Sequence, residues 1–459
     1  MIPATHPSGR GLAAEILTAW EAGRHTASEL LDLHLKEAVP HGQGTDLVYG
    51  VIRRRALLDQ ALTAVAKVKI AHLEKDLLAL LRLGVYELLF CPDTAEYGIL
   101  NDLGDLAGRN KKRRGFVNAV LRTVQRAVEN RKSPAEGIDL RRWVPVRPHD
   151  GCLLKEPIFP DPKTQPEDYY STVYSLPRWL VGIWLKTYGT ETLRQICQGC
   201  SRTPEIILQP NTLKTNAVRL AEILKSEAVL SDLNADKTML RIHTRRYLKD
   251  LWAFQKGFFL VQDPSAAKVV ALMEPKIGAT ALDLCAAPGG KTMQIAMAMH
   301  DQGKVIASDS DSRRLRKVEE NQIRLGITCV RCVPPEGIKE ALGSKNKVQS
   351  VLLDVPCSNT GVMARRAEVR WRLRPESIAP LVKTQKTLLE QAAGFVRKRG
   401  TLAYSTCSIL PEENENQVKE FLRAQRAFSL DKEELTLPSC GGEGFFAHDG
   451  GYVAILRKG

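Results

Sequence analysis

Asp283-Leu-Cys-Ala-Ala-Pro-Gly-Gly-Lys-Thr292 decides the fold. An apolar run, Ala281 to Leu284, leads into a glycine turn, the way a strand feeds a helix in an α/β unit. Working outward, similar runs recur at Val305 to Ala307, Thr328 to Val333, Val351 to Leu353 and Thr401 to Tyr404, separated by helical stretches such as Arg313 to Leu325 and Leu381 to Val396. That alternation predicts a mostly parallel sheet with helices on both faces. In such sheets, ligands sit where the strands end. Two further segments therefore belong beside the glycine turn: Leu353-Asp-Val-Pro-Cys-Ser358 and Tyr404-Ser-Thr-Cys-Ser-Ile-Leu-Pro-Glu-Glu-Asn414.

Ala286-Ala-Pro-Gly-Gly-Lys291 has neither the Gly-x-Gly-x-x-Gly spacing of a dinucleotide site nor the usual frame of a P-loop, which argues against NAD and ATP. A glycine turn at a strand end lets backbone N–H groups approach a small anion such as the methionine carboxylate of S-adenosylmethionine. Lys291 can add a charge-assisted bond to it. At the next strand end stands Asp309, with Asp311 close by, suited to holding ribose hydroxyls. Cys357 and Cys407 follow two other strands, and paired thiols at strand ends point to chemistry more than to packing. Read singly, each cysteine is equally a small buried residue, and Asp354 a helix cap.

The chain has 459 residues, enough for about three domains. Its net charge of +14 makes nucleic acid the first partner to consider. No apolar run reaches the roughly 18 residues of a membrane span, and the N-terminus lacks the order of a signal peptide, so no membrane association and a cytoplasmic location are expected. Ten scattered cysteines then read as free thiols. The pairs Cys197/Cys200 and Cys329/Cys332 have metal-like spacing, but they lie far apart in sequence, and no metal is expected.

From Gly11 to about Asn130 the apolar residues recur at helix spacing, as at Leu12, Ile16, Leu17 and Trp20, which predicts a small helical bundle. Arg109-Asn-Lys-Lys-Arg-Arg114 is either a solvated basic turn or an RNA-phosphate contact. Prolines then crowd between Pro134 and Tyr174, predicting a linker over 136–174. A small α+β module is expected over 175–256 and the α/β domain over 257–459. Arg365, Arg366, Arg370 and Trp371 place charge and an aromatic ring beside the Cys357 loop, as an interface for phosphates and an unstacked base requires.

The three C-terminal segments closely resemble motifs of the RNA (cytosine-5) methyltransferases. Leu47 to Arg55 and Gly115 to Arg122 resemble NusB-like RNA-binding domains. The whole chain resembles the bacterial branch that joins the two and modifies small-subunit (16S) ribosomal RNA. The resemblance implies a NusB-like bundle over 1–135, an RRM-like module and a Rossmann-like catalytic domain; a monomer is expected. It assigns Cys285, Ala286, Ala287, Pro288, Gly289, Gly290, Lys291 and Asp309 to S-adenosylmethionine, with Asp354 also near the cofactor. Where an Asp is usual after the third strand this chain has Glu336, a substitute for the adenosine contact. Val355 replaces a usual alanine and is expected to crowd the base pocket slightly. Gly442-Glu-Gly-Phe-Phe446 matches a family Asp-Gly-Phe-Phe pattern with Glu in place of Asp.

Carbon 5 of cytosine is a poor nucleophile until a covalent addition at carbon 6 activates the ring, and a thiolate is suited to that addition. The resemblance makes Cys407 the nucleophile, Cys357 the residue that assists product release and Asp354 the contact to ring N3. The reverse assignment of the two cysteines, as in DNA cytosine-5 methyltransferases, is the mechanistic rival. Two other functions remain open: a transfer RNA cytosine-5 methyltransferase, and a non-catalytic RNA-binding or ribosome assembly factor.

Overall fold

The computed structural model describes residues 8–34, 41–244, 246–343 and 347–459. Residues up to Thr203, together with Ala364–Arg372, form one compact unit; Pro204–Met363 and Leu373–Gly459 form the other. Among the described residues, no helix is long and apolar enough to cross a membrane.

The first unit opens with helices Gly9–Glu21, Ala27–His34, His41–Ala64, Lys75–Phe90, Glu96–Leu106 and Lys111–Ala127. Their apolar stripes meet in a core that includes Ile16, Leu17, Ile52, Leu58, Leu81, Leu83 and Leu121, each at most 2% exposed. Asn110 caps the last of these helices, accepting the Lys112 N–H at 2.9 Å, so the basic run starts a helix and lies on its exposed first turn.

The expected linker over 136–174 is folded. Strands β1 (Val128–Pro134), β2 (Trp143–Pro145) and β3 (Asp150–Leu154) form an antiparallel sheet ordered β1-β3-β2, and helices Pro166–Tyr174 and Arg178–Ser201 follow. The prolines sit where proline is tolerated: Pro134 and Pro145 end strands, and Pro166 starts a helix. Trp143, Cys152, Tyr169, Val173 and Trp184 are buried, so the segment has a core of its own. The α+β module therefore begins near Pro204 and not at residue 175.

The second unit contains two sheets. Strands β4 (Ile206–Pro210), β5 (Leu230–Leu233), β6 (Leu240–His243) and β7 (Phe259–Val261) pair antiparallel in the order β5-β6-β4-β7. Helix Ala217–Ser226 packs on this sheet through Leu220 and Leu224. Buried Asn211 ties the module to the C-terminal end of helix Ser312–Leu325, donating from Nδ2 to the Gly257 carbonyl at 2.9 Å and the Leu325 carbonyl at 3.0 Å.

The larger sheet comprises β8 (Thr280–Asp283), β9 (Lys304–Ser308), β10 (Val330–Val333), β11 (Val348–Asp354), β12 (Val396–Thr406), β13 (Phe428–Thr436) and β14 (Gly451–Lys458). Their order is β10-β9-β8-β11-β12-β14-β13; the first five are parallel, β14 runs antiparallel to them, and edge strand β13 pairs antiparallel with β14. Alternate residues enter separate cores on the two faces, Ala281, Val305 and Leu352 on one side and Leu282, Ile306 and Leu353 on the other. Burial on both faces is why these strands read as continuous apolar runs. Strand order reverses between β8 and β11, and at that switch point their carboxyl ends open a crevice.

Candidate active site

Each of the predicted loops leaves the carboxyl end of a parallel strand. Asp283 ends β8, Asp354 ends β11 and Thr406 ends β12, with Asp354 in register beside Ser405. A cleft opens there, lined by Lys291, Asp354, Thr406 and Cys407 together with Asp263, Asp449 and Gly450.

The glycine turn begins helix Gly290–Ala298. Gly289 has φ of +103°, a conformation L side chains rarely adopt, and a Cβ at Gly290 would meet open space. Asp309, 6% exposed, braces the turn: its carboxylate accepts the Ala287 N–H at 3.1 Å and the Asp311 N–H at 3.0 Å. Both oxygens keep a lone pair for further donors. Asp311 instead caps helix Ser312–Leu325, accepting the Arg313 N–H at 2.9 Å. Asp283 is buried with Oδ1 lacking a hydrogen-bond partner, and burial pushes its carboxyl up to about 7. Cys285 is likewise pushed up to about 12 by burial and stays a thiol. Glu336 lies exposed in the turn Pro335–Gly337 after β10, at the same sheet edge. An open glycine turn beside a buried acid and an unsatisfied carboxylate oxygen suits a cofactor with a charged amino-acid end and ribose hydroxyls.

Lys291 extends past its own loop to Asp354, with Nζ 2.8 Å from Oδ2, while Ser405 donates to Oδ1 at 2.7 Å. Burial opposes the ammonium, but Asp354 and, less strongly, Cys407 hold it, and the lysine is raised above its ordinary range. The two residues, assigned separately from sequence, form one ion pair facing Cys407.

The two thiols lie together, their sulfurs 3.2 Å apart. Cys407 lines the cleft, whereas Cys357 lies beneath it at 8% exposure. The hydrogen bond with Cys407, followed by burial, pushes the Cys357 thiol well up. Asn359, at a φ of +60° that asparagine tolerates, donates to the Cys357 carbonyl at 2.8 Å and accepts from the Cys407 thiol at 3.2 Å. Gly361 permits the close packing: its N–H donates to the Cys407 carbonyl at 3.0 Å, and a Cβ there would come within 2.5 Å of the Gly450 carbonyl oxygen. Val355 is buried in the core and does not line the cleft.

Two sequence expectations need correction. Arg370, assigned to RNA, is 2% exposed and donates to four backbone carbonyls: Ala367 at 3.0 Å, Arg53 at 2.8 Å, Tyr174 at 3.2 Å and Cys200 at 2.8 Å. Trp371 donates from Nε1 to the Ile52 carbonyl at 2.9 Å, and the Arg55 guanidinium lies over its ring at 5.2 Å, so it is packing and not an open stacking platform. Arg365 is half-buried and Arg366 exposed. Gly442–Phe446 also falls outside the cleft, with Phe445 73% exposed and Phe446 packed on Ile207 and Met239. The sequence gives Gly361 and Glu413 only as parts of motifs, without a role, and gives no role to Asn359, Asp263 or Asp449; only the nearness of Asn359 to Cys357 is a signal. Among the described residues, no group of three His, Cys, Asp or Glu is placed to hold a metal.

Residues 270–445 match the family described as 16S rRNA methyltransferase RsmB/F, and residues 7–126 match the NusB family. A probable ribosomal RNA small subunit methyltransferase B from Synechocystis is 33% identical, the match covering 86% of this chain and 83% of that one. A protein of the same description from Bacillus subtilis is 29% identical over 98% of this chain and 99% of its own. The solved structure of NSun6 from Pyrococcus horikoshii, 24% identical, covers 61% of this chain and 98% of its own with a TM-score of 0.53, a likeness of fold.

Proposed function

Since the chain belongs to the 16S rRNA methyltransferase RsmB/F family, and is thus an S-adenosylmethionine-dependent RNA methyltransferase, we propose that it methylates carbon 5 of a cytosine in small-subunit ribosomal RNA, with Cys407 as the nucleophile. The observation that carries the assignment is the asymmetry of the thiols: Cys407 faces the cleft with Lys291 and Asp354, and Cys357 lies under it.

The Cys407 thiolate adds to carbon 6 of a cytosine turned out of its stack, and the ring electrons displaced toward N3 meet the Lys291–Asp354 pair. That ion pair sits in a cleft where charge is poorly screened, so it stabilises the developing charge more than it would in water. S-adenosylmethionine, when bound, supplies an electrophilic methyl group; the loop over residues 285–291 and Asp309 would hold it, with Glu336 at the adenosine side. Transfer of the carbon-5 proton to solvent water in the open cleft returns the C–H electron pair to the ring, which re-forms the carbon 5–carbon 6 double bond and breaks the carbon–sulfur bond. Cys407 leaves as a thiolate, and the Cys357 S–H, 3.2 Å away and kept protonated, hydrogen-bonds to the departing sulfur.

The test is to incubate the purified chain with isotope-labelled S-adenosylmethionine and either 16S ribosomal RNA or transfer RNA, then resolve the nucleosides. Label in 5-methylcytidine from 16S RNA is expected. Label in another nucleoside, or from transfer RNA alone, refutes the proposal.

A further inference from the structure

Below the two thiols lies a carboxylate that the chemistry above does not use. Glu413, in the short turn Pro411–Glu413 after β12, is 0% exposed. Among the described residues, no lysine, arginine or histidine forms an ion pair with it. Hydrogen bonds hold it instead: Oε1 accepts the Ser358 N–H at 2.8 Å and the Gln385 side-chain N–H at 2.9 Å, and Oε2 accepts the Ser358 hydroxyl. Its backbone carbonyl accepts the Tyr404 hydroxyl at 2.6 Å. A carboxylate buried without a cation is unfavourable unless its lone pairs are filled, and here they are filled by groups adjoining the reactive sulfurs.

Ser358 directly follows Cys357, and its hydroxyl lies 3.1 Å from that of Ser408, which directly follows Cys407. Thr360 joins the same cluster, its Oγ1 3.0 Å from Ser408 Oγ and accepting the Ile409 N–H at 3.1 Å. Two loops from different strands are thus fastened to one buried carboxylate.

We propose that Glu413 is a positioning residue, which through Ser358 and Ser408 sets the distance between Cys357 and Cys407. It touches neither sulfur. Its negative charge has a second effect of known sign: it disfavours a thiolate on Cys357, in the same direction as the stronger effects of Cys407 and burial. The inference rests on Cys407 and Cys357 being the reacting pair.

Glu413→Gln keeps the shape, removes the charge, and turns an amide N–H₂ toward donors that need an acceptor. Studied in the full chain, it is expected to lower kcat by about 10- to 100-fold, the scale of a misplacement near 1 Å, with KM for RNA and for S-adenosylmethionine within about twofold. The readout a purely structural role would not move is alkylation of Cys357 by iodoacetamide against pH, followed by mass spectrometry. Removing a nearby negative charge lowers a thiol's pKa, so Cys357 should react at a pH lower by about half a unit or more, while buried Cys152 and Cys197 stay unmodified. Glu413→Asp, which keeps the charge but is shorter, should restore the alkylation profile and only part of kcat.

If Glu413→Gln fails to fold, Ser358→Ala tests the same link: kcat should fall while the Cys357 profile holds, because the charge remains. A folded Glu413→Gln variant with unchanged kcat and an unshifted profile overturns the inference, as does a Ser358→Ala variant with full activity. Alkylation requires neither RNA nor methyl donor. A shifted profile in a chain whose unaltered form makes no 5-methylcytidine would therefore sink the reaction assignment and leave the positioning role standing.

Discussion

Replacing Arg370 with methionine separates two accounts of this residue, as a contact to RNA or as an internal clamp. The side chain is 2% exposed, and its guanidinium donates to the carbonyls of Ala367, Arg53, Tyr174 and Cys200. Burial lowers its pKa to about 9, yet at neutral pH it remains charged and fully engaged. Methionine fills much of the volume but donates nothing. Each buried carbonyl deprived of its donor loses about 1–3 kcal/mol. Four such losses are not additive, because the carbonyls relax together and the desolvation of a guanidinium is relieved; a net loss of about 3–5 kcal/mol is expected. In a unit of this size, with about 2–4 °C per kcal/mol, the first calorimetric transition should fall by about 6–20 °C. Below that transition, RNA affinity and its salt dependence should match the unaltered chain. An unchanged transition, with a salt slope lower by about 1, would refute the clamp and restore Arg370 to the RNA surface.

Exposed Arg366 should behave in the opposite way: Arg366→Ala leaves calorimetric stability within about 0.5 kcal/mol and lowers the salt slope of RNA binding by about 1. Gly361→Ala places a Cβ 2.5 Å from the Gly450 carbonyl oxygen and 3.0 Å from that of Cys407, so it should cost about 1–3 kcal/mol in urea unfolding and reduce kcat at least tenfold. Lys291→Met tests the ion pair with Asp354. Lys291 is raised above 10.5 in the folded chain, so its contribution is fully present below its unfolded pKa near 10.5 and is lost as pH rises through the folded value. The stability difference between variant and unaltered chain should accordingly be flat from pH 6 to about 9 and change only above about 10.5, as urea titrations at each pH would register.

Much of the catalytic sheet is legible in the sequence because its parallel strands are buried on both faces and read as unbroken apolar runs. β14 carries a run of the same kind, Tyr452–Leu456, that the sequence reading does not use, whereas β13, Phe428–Thr436, has four successive charged residues at the sheet edge and shows no such run. The linker expectation fails because proline is tolerated at strand ends and helix starts; Pro134, Pro145 and Pro166 punctuate folded elements, and Trp143, Tyr169 and Tyr170 nearby supply a core. Arg370 misled for a related reason. Arginine is ordinarily exposed, and only the convergence of carbonyls from residues 53, 174 and 200 explains its burial, a long-range fact no local pattern carries. The glycine turn, Asp309, Asp354 and both thiols were visible because they stand at strand ends, where the topology brings ligands. Glu413 was not, because a Pro-Glu-Glu sequence reads as an ordinary helix start until Ser358 is folded against it.

The central claim, that Cys407 attacks the base and Cys357 assists its release, is tested most directly by trapping. Cys357→Ala, incubated with 16S ribosomal RNA and S-adenosylmethionine and run on a denaturing gel, should give a protein–RNA adduct that survives denaturant and maps by mass spectrometry to Cys407. The same adduct forming on Cys357 in a Cys407→Ala variant, or full methylation by that variant, would contradict the assignment.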